Sequence, residues 1–226
     1  MKYEMYRHSA ECEWTYEKLD KRQREIAENL SNDPNAEGVV LLSEVAPVIT
    51  MGRKAAPEDL FYSNDFYANK GIQIYHTDRG GKATWHGQGQ WVLFIVEKLE
   101  RLVGDPIGVR KTTLFLLDVA LRVGRKYKHD CEIRSKEETG AWCSEGKFAA
   151  LGIKISKGVL LHGVCINGYR AGLSFFGLRP CGLDAPVAFL LDDALNNRAI
   201  NINDKFITLG QEVLRVVEEK VKNSLI

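Results

Sequence analysis

Between two apolar runs the chain reads Asp78-Arg79-Gly80-Gly81-Lys82-Ala83-Thr84-Trp85-His86-Gly87-Gln88-Gly89-Gln90, a stretch with four glycines, an arginine and a histidine. A connection that only has to turn needs one or two glycines. This density marks backbone that must approach something closely. The run that follows, Trp91 to Val96, is nearly continuous in apolar residues and predicts a strand buried on both faces. The run before it, Ile72 to Tyr75, reads as another strand. Strand, glycine loop, strand is the wrong context for a dinucleotide fingerprint, and no Gly-Lys-Ser/Thr closes the loop as a P-loop would. Two readings remain: a cradle over a ligand, or a structural turn around a core histidine.

The rest of the chain limits the fold further. Tyr16 to Leu30 reads as a helix, with Leu19, Gln23, Ile26 and Leu30 on one face and Ser31-Asn32-Asp33-Pro34-Asn35 ending it. Val39 to Leu42 and Val48 to Met51 read as strands. Asp105-Pro106 predicts the start of a second helix, with Leu114, Leu117, Ala120 and Leu121 at helical spacing. Gly140 to Trp142 and Phe148 to Ile155 read as a hairpin around Ser144-Glu145-Gly146. Leu160 to Ile166 is a further strand, and Leu209, Val213, Val216 and Val217 mark a C-terminal helix. Strands outnumber helices without alternating with them. The expectation is an α+β fold, a mixed or antiparallel sheet flanked by helices, in a single domain over 1–226.

The 226 residues carry 31 basic and 30 acidic side chains, so no net field directs the chain to nucleic acid or an anionic membrane. The local cluster Arg122, Arg125, Lys126 and Lys128 reads as a solvated helix end. Cys12, Cys131, Cys143, Cys165 and Cys181 are odd in number and irregularly spaced, which disfavours a disulfide framework or a zinc site. The N-terminal residues carry no apolar core of a signal peptide, and no apolar run is long enough to span a bilayer. A cytoplasmic protein is expected.

Three further segments can carry chemistry. Leu161-His162-Gly163-Val164-Cys165-Ile166-Asn167 places a second His-Gly pair on a strand. Arg179-Pro180-Cys181-Gly182 presents a thiol on a tight, irregular turn, where a cysteine is a better nucleophile than one inside a strand such as Cys165. A thiol at its reference pKa is only a few per cent ionised near neutral pH, so it needs an activator. Lys147 stands at the mouth of the apolar run Phe148 to Ile155, where a lysine is partly desolvated or snorkels to water.

Taken in order, these elements resemble the lipoyl (octanoyl) transferases, the octanoyl-[acyl carrier protein]:protein N-octanoyltransferase family. The family pattern is an Arg-Gly-Gly-x-x-Thr-x-His-Gly-x-Gly-Gln loop, a Lys-apolar-Ala-x-apolar-Gly segment, a His-Gly-x-x-x-Asn strand and Pro-Cys-Gly. Here Arg79 to Gln90, Lys147 to Gly152, His162 to Asn167 and Pro180 to Gly182 match it. The resemblance implies a fold similar to the biotin and lipoate protein ligase catalytic domain. It implies that an octanoyl group leaves the phosphopantetheine thiol of acyl carrier protein, passes through a thioester on Cys181, and reaches one lysine of a lipoyl domain. That is the first step of endogenous protein lipoylation. Acceptors would be 2-oxoacid dehydrogenase E2 subunits and the glycine cleavage H protein. Lys147 would activate Cys181 and later take a proton from the incoming amine. Backbone N–H groups near Ala150, Leu151 and Gly152 would hold the oxyanion. Arg79, Gly80, Gly81, Lys82, Ala83, Thr84, Trp85, His86, His162, Gly163 and Val164 would shape the acyl pocket. The family needs no cofactor, metal, nucleic acid or membrane, and a monomer is expected.

The chain also matches the family upstream over Glu44 to Arg53, but Val45 and Ala46 replace the His and Pro expected there; it departs further at Trp85, Gln88 and Cys165, and lacks hydroxyl residues after Cys181. Gln88 in place of proline would loosen the loop, and Trp85 in place of a smaller aromatic would reshape the pocket. The rival on the same fold is an ATP-dependent lipoate or biotin protein ligase. That family carries a triple-glycine loop with an arginine pair, where this chain has only Gly80-Gly81 and Arg79. A non-catalytic protein that docks lipoyl domains is the other alternative, and the pair Cys181 and Lys147 argues against it.

Overall fold

Both faces of the run after the glycine loop are covered, and this sets the architecture. The computed structural model describes residues 1–192 and 201–224. In order the elements are β1 (Lys2–Arg7), α1 (Tyr16–Asn32), β2 (Val39–Glu44), β3 (Val48–Met51), α2 (Asn64–Asn69), β4 (Gln73–His76), β5 (Ala83–His86) and β6 (Gln90–Val96). There follow α3 (Leu99–Val103), α4 (Val109–Gly124), β7 (Glu132–Arg134), β8 (Gly140–Cys143), β9 (Gly146–Ser156), β10 (Val159–Asn167) and α5 (Ile202–Ser224). A seven-stranded sheet runs β1-β2-β6-β10-β9-β8-β7, and a three-stranded sheet runs β4-β3-β5. Only β1 with β2 and β3 with β4 pair in parallel among these ladders. The sheet is therefore mixed, and the α+β reading holds.

Strand β6 shows why its sequence lacks alternation. Trp91, Leu93 and Ile95 pack with Phe115, Val119, Leu209 and Val213 of α4 and α5. Val92, Phe94 and Val96 point the other way, to Tyr16, Leu19 and Leu30 of α1. Successive side chains take opposite faces and each face has its own helical cover. Helix α1 starts at Thr15, whose hydroxyl accepts from the Lys18 N–H at 3.3 Å, and its buried face holds Leu19, Gln23, Ile26 and Leu30.

Three readings need correction. Asp78 to Gln90 is not one loop: β5 lies inside it, fully buried and paired antiparallel with β3. Asp105-Pro106 does not open α4. The Asp105 carboxylate accepts from the Ile107 N–H at 3.1 Å in a turn, and the helix begins at Val109. Leu114 is exposed, while Phe115, Leu116 and Val119 face the core. In the basic cluster, Arg122 pairs with Asp118 at 2.8 Å, Lys126 with Glu212 at 2.7 Å and Lys128 with Glu145 at 2.6 Å. Among the described residues no helix is long and apolar enough to cross a membrane.

Candidate active site

The two sheets and the Pro180–Gly182 turn enclose a cavity of about 560 Å³. That volume suits a small-molecule chain. Its wall includes Lys147, Cys181, Arg79, Thr84, His86 and Cys165. Gly80, Gly81, Lys82, Ala150, Leu151, Gly152, Gly163 and Val164 also line it. The glycine loop, the lysine strand, the His-Gly strand and the cysteine turn thus meet in one place, although they are far apart in sequence.

Three expected pocket residues are not on this wall. In β5, Thr84 and His86 face the cavity, so Ala83 and Trp85 must face away. They pack instead with Ile49, Met51, Tyr67 and Leu178 beneath the small sheet. The expectation that Trp85 shapes the pocket therefore fails on strand alternation. His162 lies behind the wall with no exposed surface. Its backbone is left-handed (φ 59), a strained conformation for a non-glycine residue. The strain is held by its contacts. Its N–H donates to Gln23 Oε1 at 2.7 Å, and its Nε2–H donates to Asp78 Oδ1 at 2.8 Å. Asp78 also accepts from Arg24 at 3.0 and 3.1 Å and from Lys154 at 2.7 Å. Burial pushes the Asp78 carboxyl up, but these donors hold it well below the usual carboxylate range. The second His-Gly pair is an anchor that fixes α1 and Asp78 to β10.

Lys147 and Cys181 are tied together by backbone. The segment that follows Cys181 returns along the start of β9. The Lys147 N–H donates to Pro186 O at 2.9 Å, and the Ala188 N–H donates to Lys147 O at 3.1 Å. Lys147 is only 9% exposed, with Nζ 5.6 Å from the Trp142 ring centroid. Its stem passes over Gly140, where any Cβ would overlap it. Cys181 is half-buried, and its own backbone is left-handed (φ 57, ψ 16). Strain of this kind at a non-glycine residue concentrates at working sites. The Lys82 side chain lies against Gly182, the residue after Cys181. Cys165 is the other sulfur on the wall. Burial and then the Cys181 charge push its thiol up to about 11, which leaves it protonated and inert near neutral pH.

The glycine loop is fixed to β9 by backbone. The Ile153 carbonyl accepts from the Gly80 N–H at 3.0 Å, on the side of β9 away from β10. Peptide groups alternate along a strand, so Leu151 is turned to that same side, next to the Gly140–Ala150 pair that ends the β8 ladder. Ala150 and Gly152 are turned toward Cys165 and Gly163 of β10. The Thr84 hydroxyl also lines the cavity, with no hydrogen-bond partner among the described residues.

Sequence reasoning missed several wall residues. Tyr16 and Phe94 close the inner end, and Lys54, Lys136 and Glu137 stand among the exposed or charged lining. Tyr16 stacks on His86 at 5.3 Å between ring centroids and lies edge-on to Phe94 at 6.2 Å. Tyr16 opens the amphipathic pattern of α1, which identifies it as buried but not as a cavity residue. No group of histidine, cysteine or carboxylate side chains among the described residues is arranged to hold a metal ion.

Residues 18–205 match the family described as the lipoyl protein ligase A/B catalytic domain. The chain is 35% identical over 172 residues to an octanoyltransferase of Alkaliphilus metalliredigens, covering 76% of each chain. Its fold is similar to that of lipoate-protein ligase A bound with ATP, with a TM-score of 0.60 at 11% identity over 99% of this chain and 94% of that one. It is also similar to the biotin protein ligase from Aquifex aeolicus, with a TM-score of 0.51 at 11% identity over 98% and 70% of the two chains. At such identities the solved structures speak for the fold alone.

Proposed function

The chain belongs to the lipoyl protein ligase A/B catalytic-domain family, and from that premise we propose that it is an octanoyltransferase working through a thioester on Cys181. The observation that carries this reading is the joint presence of Cys181 and Lys147 on one cavity wall, joined by the pairing of Pro186 and Ala188 with β9.

In the first half-reaction Lys147 accepts the Cys181 proton, and the thiolate attacks the carbonyl of octanoyl-phosphopantetheine on acyl carrier protein. The C–S bond to Cys181 forms and the negative charge moves to the carbonyl oxygen. Backbone N–H groups near Ala150, Leu151 and Gly152 stabilise that oxyanion, a contribution worth up to about 3–4 kcal/mol in well-formed holes. Collapse breaks the old C–S bond, and the phosphopantetheine thiolate leaves with the proton Lys147 had taken. In the second half-reaction the ε-amine of a lipoyl-domain lysine attacks the acyl-enzyme. Lys147 takes the amine's proton, the amide forms, and the Cys181 sulfur leaves.

The acyl tail lies along Val92, Phe94 and Tyr16. Each methylene buried there contributes about 0.8 kcal/mol. A thioester is already activated, so the reaction needs no nucleotide. The donor is acyl carrier protein and the acceptors are lipoyl domains, among them those of 2-oxoacid dehydrogenase E2 subunits and the glycine cleavage H protein, all in the cytoplasm.

The test is transfer of octanoate to an isolated lipoyl domain. Octanoyl-carrier protein without ATP is expected to octanoylate the acceptor lysine. Free octanoate with ATP and magnesium is expected to give no product. The opposite pattern contradicts the transferase reading and restores the ligase one.

A further inference from the structure

A line of buried polar side chains runs from the glycine loop to the backbone of Lys147. Arg79 can only donate, and its Nε and Nη2 reach Thr50 Oγ1 at 3.2 and 2.8 Å. With two donors on that oxygen, its own proton must go to His86 Nε2 at 3.2 Å. The His86 proton is then on Nδ1, which donates to Gln90 Oε1 at 2.7 Å. Gln90 Nε2 donates to Asn167 Oδ1 at 2.8 Å, across the β6–β10 register. Asn167 Nδ2 finally donates to Ala188 O at 3.1 Å and Lys147 O at 3.4 Å. Thr50, His86, Gln90 and Asn167 are each no more than 5% exposed.

Every donor in this line points the same way. Turning one group round forces its neighbour to turn, because each buried donor and acceptor in it is matched to the next. The line ends where β9 and the segment after Cys181 are laced together, so its last amide grips both strands of the catalytic junction.

We propose that Thr50, His86, Gln90 and Asn167 form a directional positioning chain that sets Lys147 against the Cys181 turn, with Arg79 fixing its sense. The role rests on the reading of Lys147 as the proton acceptor in acyl transfer. None of these four residues needs to touch the reacting atoms. They are positioning residues, and they act through the main chain of Lys147.

Gln90→Glu tests the chain with little change of shape. A carboxylate still accepts from His86 but cannot donate to Asn167. The Asn167 amide must then turn over and present its oxygen to the carbonyls of Lys147 and Ala188. Gln90→Met removes the link without adding charge and guards against a variant that fails to fold. The measurement is single-turnover acylation of Cys181 by octanoyl-carrier protein, followed by intact mass, with thermal unfolding recorded beside it.

Both variants are expected to unfold cooperatively. Their acylation at saturating donor is expected to be slower by roughly 10- to 100-fold, with the half-saturating donor concentration unchanged. In a Lys147→Ala background the same changes are expected to cost less than about 2-fold, since residues acting through one group are not additive. Full-rate acylation in both Gln90 variants overturns the chain. So does an equal loss with and without the Lys147 amine, which marks a merely structural role. Wild-type acylation by Lys147→Ala alone overturns the reading of Lys147 itself, and the chain with it.

Discussion

Gly152 and Gly163 sit opposite each other across β9 and β10, and neither has room for a side chain. A Cβ on Gly163 would overlap the Leu93 carbonyl oxygen of β6. A Cβ on Gly152 would lie 2.8 Å from the Gly80 carbonyl oxygen and 3.2 Å from Arg79 Cδ. This pair lets the sheet close on one side and the glycine loop settle on the other. The loop can settle against β9 because Gly152 carries no side chain beneath it.

The two positions are therefore expected to fail differently. Gly163→Ala forces β6 and β10 apart and costs about 1–3 kcal/mol, as overpacking does. Gly152→Ala pushes the Gly80 carbonyl and Arg79 into the cavity, so it should also weaken binding of the acyl donor. Thermal unfolding and donor saturation curves check this. Donor binding by Gly152→Ala equal to that of the unaltered protein would contradict the account.

Chain-length choice is expected to follow Phe94 and not Trp85. Trp85 is buried under the small sheet, away from the cavity, so Trp85→Leu should lower stability by about 2–4 kcal/mol with the acyl preference unmoved. Phe94 lies on the cavity wall beside Tyr16. Phe94→Leu opens that end and should move the preference toward longer donors. Acyl carrier proteins charged with chains of different length measure both effects, and a changed preference in Trp85→Leu alone would reverse the assignment.

Much of this site was legible from residue order, and the misses have physical causes. The β6 run announced itself because both its faces are apolar. The Cys181 turn and Lys147 stand out only through motif context, since neither residue carries a periodic signal. Trp85 was misplaced because Asp78 to Gln90 looks like a loop, and its four-residue strand is too short to show alternation beside so much glycine. Strand β1 was missed for the opposite reason. Lys2–Arg7 is an edge strand with no fully buried side chain, so it lacks the apolar pattern that marks a strand. Gln90 and Asn167 stand inside the glycine-loop and His-Gly motifs, but their partners lie in other strands. A polar residue at the end of an apolar strand is the one local sign of such a link.

Acid is expected to destabilise the fold through its buried imidazoles. Burial, with Arg79 adding to it, pushes His86 down to about 3. Burial also lowers His162, against the opposing bond to Asp78. The reference value for histidine is about 6.5, so below it the unfolded chain takes up protons that folded His86 refuses. Stability then falls as pH falls from about 6.5 toward 3, by up to about 1.4 kcal/mol per pH unit for each such histidine. Above about pH 7 the effect vanishes. Denaturant unfolding at a series of pH values measures the slope, and His86→Gln should make it shallower. A stability that stays flat between about pH 7 and 5 would contradict neutral burial of these rings.

The most direct measurement is the intact mass of the protein after mixing with octanoyl-carrier protein in the absence of acceptor. The account predicts a gain of one octanoyl group, located on Cys181 by peptide mapping and discharged when a lipoyl domain is added. Cys181→Ala is predicted to gain nothing, and Lys147→Ala to gain it slowly. An adduct that persists in Cys181→Ala, or octanoylation of the lipoyl domain by that variant at the unaltered rate, would contradict the covalent mechanism.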